Sequence, residues 1–105
     1  MANGYDQNFV LKTTAGDASK VAELYDPKSG RAMEVYTDLP GMQLYAGNFL
    51  KTTTSKSGYA YGRGDGVCFE SQYFPNSCNI PSFPYKPLKA DEEFNSITVY
   101  KFINK

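Results

Sequence analysis

The chain has 105 residues, enough for one domain or part of one, and its 41% hydrophobic content supports a modest core. Eleven basic and eleven acidic side chains cancel, and no charge block exceeds Asp91-Glu92-Glu93. That balance argues against electrostatic capture of nucleic acid, which needs a basic stripe, and against an anionic membrane surface. The sequence has no histidine, so imidazole zinc ligands and histidine-dependent triads are excluded within it.

No window sustains apolar residues at i, i+3, i+4 and i+7; the pattern is period 2, enriched in β-branched and aromatic residues, and it predicts strands. Met1–Asp6 shows no basic-then-apolar leader, which points to the cytoplasm. Gln7–Lys12 is the first strand candidate. Lys20–Tyr25 and Arg31–Thr37 flank Asp26-Pro27-Lys28-Ser29-Gly30, a loop with Pro and Gly where a hairpin wants them. Along the second of these, Met33, Val35 and Thr37 share one face and Ala32, Glu34 and Tyr36 the other. Pro40-Gly41 breaks the chain, and Met42–Leu50 resumes an extended reading. Thr52–Gly58 reads as a polar, mobile loop.

Gly62, Gly64 and Gly66 are separated by Arg63 and Asp65, but the string does not lead from a strand into a helix, so a nucleotide-cradling loop is rejected. Val67–Gln72 is a strand. Phe74–Pro87 carries four prolines and reads as ordered coil. Phe94–Ile103, apolar on both faces, is expected to lie buried between layers. Cys68 and Cys78 have no second pair and read as free thiols. No apolar run approaches the length of a membrane-spanning helix. The class is all-β, an antiparallel β-sandwich with open edges.

Glu70 is the residue most suggestive of chemistry. It stands in Gly66-Val67-Cys68-Phe69-Glu70-Ser71-Gln72-Tyr73-Phe74, an otherwise apolar and aromatic run. An ionised carboxylate there is either a satisfied structural group or a tuned acid/base. Neighbours such as Val67, Phe69 and Phe74 would lift it toward the working pH of a general base, whereas a strand glutamate facing water would do nothing. Asp6 taken alone is a turn residue in Asn-Gly-Tyr-Asp, and Gln43 a polar residue on a strand. Glu34 reads as structural, paired with Arg31 or a lysine. Tyr5, Tyr45, Tyr73 and Phe74 are the aromatics best placed to stack on a ring.

Four segments taken in order resemble the C-terminal part of the galactose mutarotases (aldose 1-epimerases). They are Asn3-Gly4-Tyr5-Asp6-Gln7-Asn8-Phe9, Gly30–Thr37, Pro40-Gly41-Met42-Gln43-Leu44-Tyr45-Ala46-Gly47-Asn48-Phe49-Leu50, and Gly66–Gln72 followed by Pro75-Asn76 and Pro81-Ser82-Phe83-Pro84. Thr98-Val99-Tyr100-Lys101-Phe102 is similar to the family's last strand.

The resemblance implies that residues 1–105 form the C-terminal portion of a larger supersandwich, roughly a third of it. The implied reaction interconverts the α- and β-anomers of aldoses such as galactose or glucose, without cofactor or metal. It implies Glu70 as the general base and Asp6 and Gln43 as residues that hold sugar hydroxyls. The family's catalytic acid is a histidine from the part that precedes this stretch, as are a second binding histidine and an arginine. Gln7 stands where family members often have histidine after the aspartate. Two readings follow: an enzyme whose base half is here, or a non-catalytic carbohydrate-binding or structural β-domain. The implied partners are a monosaccharide and either further copies of the chain or an upstream mutarotase fragment.

Overall fold

A computed structural model describes residues 3–105; Met1 and Ala2, the start of the segment read as leaderless, lie outside the described residues. Two antiparallel three-stranded sheets face each other. In the first, β1 (Asp6–Val10) and β7 (Cys68–Gln72) flank β4 (Gly41–Tyr45). In the second, β2 (Ser19–Tyr25) and β8 (Thr98–Asn104) flank β3 (Arg31–Thr37). A small hairpin pairs β5 (Thr53–Thr54) with β6 (Ala60–Tyr61). Among the described residues no helix is long and apolar enough to cross a membrane.

The β2–β3 hairpin forms as its sequence predicts. The Asp26 carboxylate accepts the Lys28 N–H (3.1 Å) and the Ser29 hydroxyl (2.7 Å), which closes the turn. Gly30 then reverses the chain at φ 73°, a left-handed conformation that costs glycine little.

Alternation sends Phe9, Met42, Leu44, Phe69 and Ser71 to the inner side of the first sheet, opposite Ala22, Met33, Val35 and Thr37 of the second. Val35 is fully buried, and Met42 and Leu39 nearly so. Hydroxyls close the β7–β8 side: Ser71 Oγ lies 2.6 Å from Thr98 Oγ1, and the Tyr100 hydroxyl donates to the Phe69 carbonyl at 2.6 Å. On the β1–β2 side the sheets part around a cavity of about 270 Å³ lined by Phe9, Val21, Ala22, Met42, Leu44 and Phe69.

The core is small for the apolar surface available. Phe9 is 47%, Leu24 43% and Phe102 76% exposed, although all three point to the inner side. The accessible surface is 7815 Å², against about 5,900 Å² for a compact protein of this mass. The radius of gyration is 16.4 Å, against about 13 Å for a compact domain of this length.

Three expectations change. The last strand is an edge strand rather than one buried between layers. It begins at Thr98 and pairs only with β3 among the described residues, so five of its seven residues are exposed. The extended reading of Met42–Leu50 ends at Tyr45, because Gly47 turns at φ 66° and accepts the Leu50 N–H at 3.2 Å. The Thr52–Gly58 loop contains β5, folded back on β6 by a turn with Gly58 at φ 81°. The expected open edges are present: β1 and β7 bound one sheet and β2 and β8 the other.

Candidate functional site

The register of the first sheet aligns residues far apart in sequence. Asn8, Gln43 and Glu70 form one row across the three strands; Asp6, Tyr45 and Cys68 form the next, and Val10, Gly41 and Gln72 the third. Directly opposed residues point the same way, and residues two apart on a strand share a face. Asp6, Asn8, Gln43, Tyr45, Cys68, Glu70 and Gln72 therefore cover the outer face, away from the core. The three residues singled out from sequence, Asp6, Gln43 and Glu70, all stand on it.

Backbone and side-chain clamps fix the entry of β1. The Tyr5 carbonyl accepts both the Ala46 N–H (3.0 Å) and the Asn48 carboxamide (2.9 Å), and the Arg63 guanidinium donates to the Asn3 carbonyl at 2.8 Å. A Cβ on Gly4 would stand 2.0 Å from Asn48 Oδ1, so glycine lets the asparagine approach. The Gly62–Gly66 string is part of the same scaffold. Its turn is closed by the Gly62 N–H on Asp65 Oδ2 (2.8 Å), and Gly64 N–H donates to Gly47 O (3.2 Å). That arrangement carries Arg63 to the N-terminal segment and leaves no phosphate-cradling role.

Gln43 Nε2 donates to Asp6 Oδ1 at 2.8 Å. Gln72 Nε2 donates to Asn8 Oδ1 at 3.0 Å and to Gln43 Oε1 at 3.3 Å. Asn8 and Gln72 are thus members of the site that sequence reasoning missed; only the strand register brings them to Gln43. A Cβ on Gly41 would fall 2.6 Å from Asn8 Oδ1 and 2.9 Å from Phe74 Cδ1, so the glycine after Pro40 makes room for both.

Glu70 lies directly opposite Gln43, exposed, and its carboxylate has no hydrogen-bond partner among the described residues. The apolar enclosure expected from its sequence neighbours is not formed among the described residues. Phe69 points to the core, Val67 is exposed, and Phe74 lies over Gly41 with its ring edge-on to Phe83 at 5.2 Å. The aromatics divide likewise. Tyr45 is on the site face, stacked with Phe49 at 6.3 Å and accepting the Phe49 N–H on its hydroxyl. Phe74 lies at the Gln72 end. Tyr5 turns toward Phe9, and Tyr73 lines a separate cavity of about 540 Å³ beside Asp38.

Glu34 is on the outer face of the other sheet. It pairs with lysines, as one of its expected alternatives had it: Lys20 at 2.6 Å and Lys101 at 3.5 Å. The Lys20 ammonium first, then the Tyr36 hydroxyl, hold its carboxyl down at about 2. The hydrogen bonds that Lys20 donates to Glu23 and then to Glu34 push it above the usual lysine range. Cys68 and Cys78 are free thiols, both exposed. Among the described residues no three His, Cys, Asp or Glu side chains gather as a metal site.

The outer face of the first sheet therefore offers one hydrogen-bonded patch of a carboxylate, Asp6, and three carboxamides, Asn8, Gln43 and Gln72, with the Glu70 carboxylate exposed across from Gln43. Such a set suits a polyol, whose adjacent hydroxyls each donate and accept.

Residues 1–101 match the family model of aldose 1-epimerase. The chain is 44% identical over 101 residues to galactose mutarotase of Sus scrofa and 45% identical over 103 residues to that of Bos taurus. It is 38% identical over 103 residues to aldose 1-epimerase of Escherichia coli (strain K12). Each match covers 95% of this chain but only 29–30% of the relative, so the chain spans about three tenths of the length of these curated relatives. The matched stretch is their C-terminal part.

Proposed function

We propose, from the premise that this chain belongs to the aldose 1-epimerase family, that its outer β1–β4–β7 face is the base-bearing half of a mutarotase site. The substrate is an aldose such as galactose or glucose. Glu70 takes the proton from the anomeric hydroxyl as an acid protonates the ring oxygen. The C1–O5 bond breaks, the aldehyde turns about C1–C2, and the carbonyl recloses on its other face. The proton taken by the base returns to the new anomeric oxygen, and the acid recovers the proton it gave. Asp6 and Gln43 hold sugar hydroxyls beside Glu70.

The observation that carries this reading is the shared outer face: Gln43 stands directly opposite Glu70 on β7 and donates to Asp6 on β1, so three strands bring the three residues together. The sequence has no histidine, so the acid comes from elsewhere. It comes with protein that reaches the outer β1–β4–β7 face: a second copy of the chain, or the portion of the domain that precedes this stretch in the relatives. Without an acid, the chain forfeits about 10²–10⁴ in rate.

Polarimetry of fresh α-D-galactose tests the proposal. The expected result is a mutarotation rate above buffer that Glu70→Gln abolishes. A rate equal to buffer at millimolar protein would favour the second reading, a non-catalytic carbohydrate-binding or structural β-domain. The absence of histidine and the solvent-facing Glu70 are the observations on its side.

A further inference from the structure

A carboxamide has two orientations of nearly identical shape that exchange its donor and acceptor edges. Gln43 must present its NH₂ edge to Asp6, because an ionised carboxylate only accepts. Its carbonyl then faces β7 and needs a donor there. Gln72 supplies one, and the same amide nitrogen also donates to Asn8 Oδ1. Both Gln72 Nε2 protons are thereby committed to two acceptors. Asn8 in turn occupies the space that Gly41 leaves beside the Phe74 ring.

We propose that Gln72 is a positioning residue of this face: braced by Asn8 over Gly41, it locks the Gln43 carboxamide in the orientation that Asp6 requires. It does not touch the sugar; it acts through Gln43. In that orientation the second Asp6 oxygen, without a partner among the described residues, is an acceptor beside the second Gln43 N–H as a donor. That pair matches two adjacent hydroxyls of a pyranose, and Glu70 lies across from Gln43 in the same row. The sugar part of this inference rests on the function proposed above, whereas the orientation of Gln43 does not.

The test uses the full chain, Gln72→Leu and the isosteric Gln72→Glu, with ¹H–¹⁵N spectra of the side-chain amides and titration with D-galactose. Removal of the donor in either variant should shift the Gln43 side-chain amide and speed its exchange with water. Gln72→Glu should act more strongly, because its new carboxylate draws the Gln43 NH₂ away from Asp6. Galactose affinity should fall about tenfold, the worth of one hydrogen bond, while backbone spectra and urea midpoint stay near wild type in the isosteric variant. Unchanged Gln43 amide resonances in both variants would overturn the proposal, as would wild-type galactose affinity in both. A wild-type chain that does not bind galactose would refute the sugar reading alone; the amide spectra would still decide the role of Gln72.

Discussion

Replacing Asp38 is predicted to destabilise the chain more than any substitution on the outer β1–β4–β7 face. Asp38 follows β3 and is only 9% exposed. Its Oδ1 accepts the Ile97 N–H at 2.8 Å, and its Oδ2 accepts the Gly16 N–H at 3.0 Å. One side chain thus pins the start of β8 and the turn around Gly16 to the end of β3. Hydrogen bonds to a charged group are worth about 1.5–3 kcal/mol each. Asp38→Ala leaves both amides without their acceptor, and partial access of water and non-additivity reduce the sum to about 3 kcal/mol. Asp38→Asn keeps one acceptor oxygen and should cost about half as much. Urea unfolding followed by far-ultraviolet circular dichroism reads both; at a slope of about 1.5 kcal/mol/M the alanine midpoint falls by about 2 M. The reasoning is refuted by an alanine variant within about 0.5 kcal/mol of wild type, or by an asparagine variant as damaged as alanine.

Acid should weaken the fold over a defined window. Glu34, Glu23 and Asp38 are held below their ordinary values, by the Lys20 ammonium, the Lys105 ammonium and the Ile97 N–H respectively. A depressed carboxyl stabilises the fold above its unfolded value and loses that effect as pH falls through its folded one. The melting temperature should therefore drop between about pH 4.5, the ordinary glutamate value, and about pH 2, and less steeply in 1 M salt. The open inner face predicts self-association. Phe9, Leu24 and Phe102 are exposed on it, the formal net charge is zero, and the surface exceeds that of a compact protein by more than the ~800 Å² that a standard dimer buries per partner. Sedimentation equilibrium at micromolar concentration should show a dimer or larger species; a stable monomer contradicts the expectation.

The strands that sequence reads well are those whose alternation is one-sided. Arg31–Thr37 has its predicted bounds because Val35 and Thr37 face the core while Glu34 faces lysines. Thr98–Asn104 was misread because a pattern apolar on both faces marks a strand covered twice, and here its outer edge and much of both faces meet water. Asp6, Gln43 and Glu70 were legible only through the motifs that surround them; spacing alone could not unite residues on three strands. Asn8 and Gln72 were not legible at all, since their contact spans 64 positions and depends on register through Gln43. Asp38, in Thr-Asp-Leu-Pro, carries no signal that its carboxylate would take two distant amides.

The central claim, that the outer β1–β4–β7 face is the sugar face, is tested most directly by titrating the ¹⁵N-labelled chain with D-galactose and mapping the perturbed amides. The account predicts shifts concentrated at residues 6–8, 43–45 and 68–72, with the Lys20–Glu23–Glu34 face silent and the response lost in Asp6→Asn combined with Glu70→Gln. Shifts confined to the β2–β3–β8 sheet, or none at saturating sugar, would contradict it.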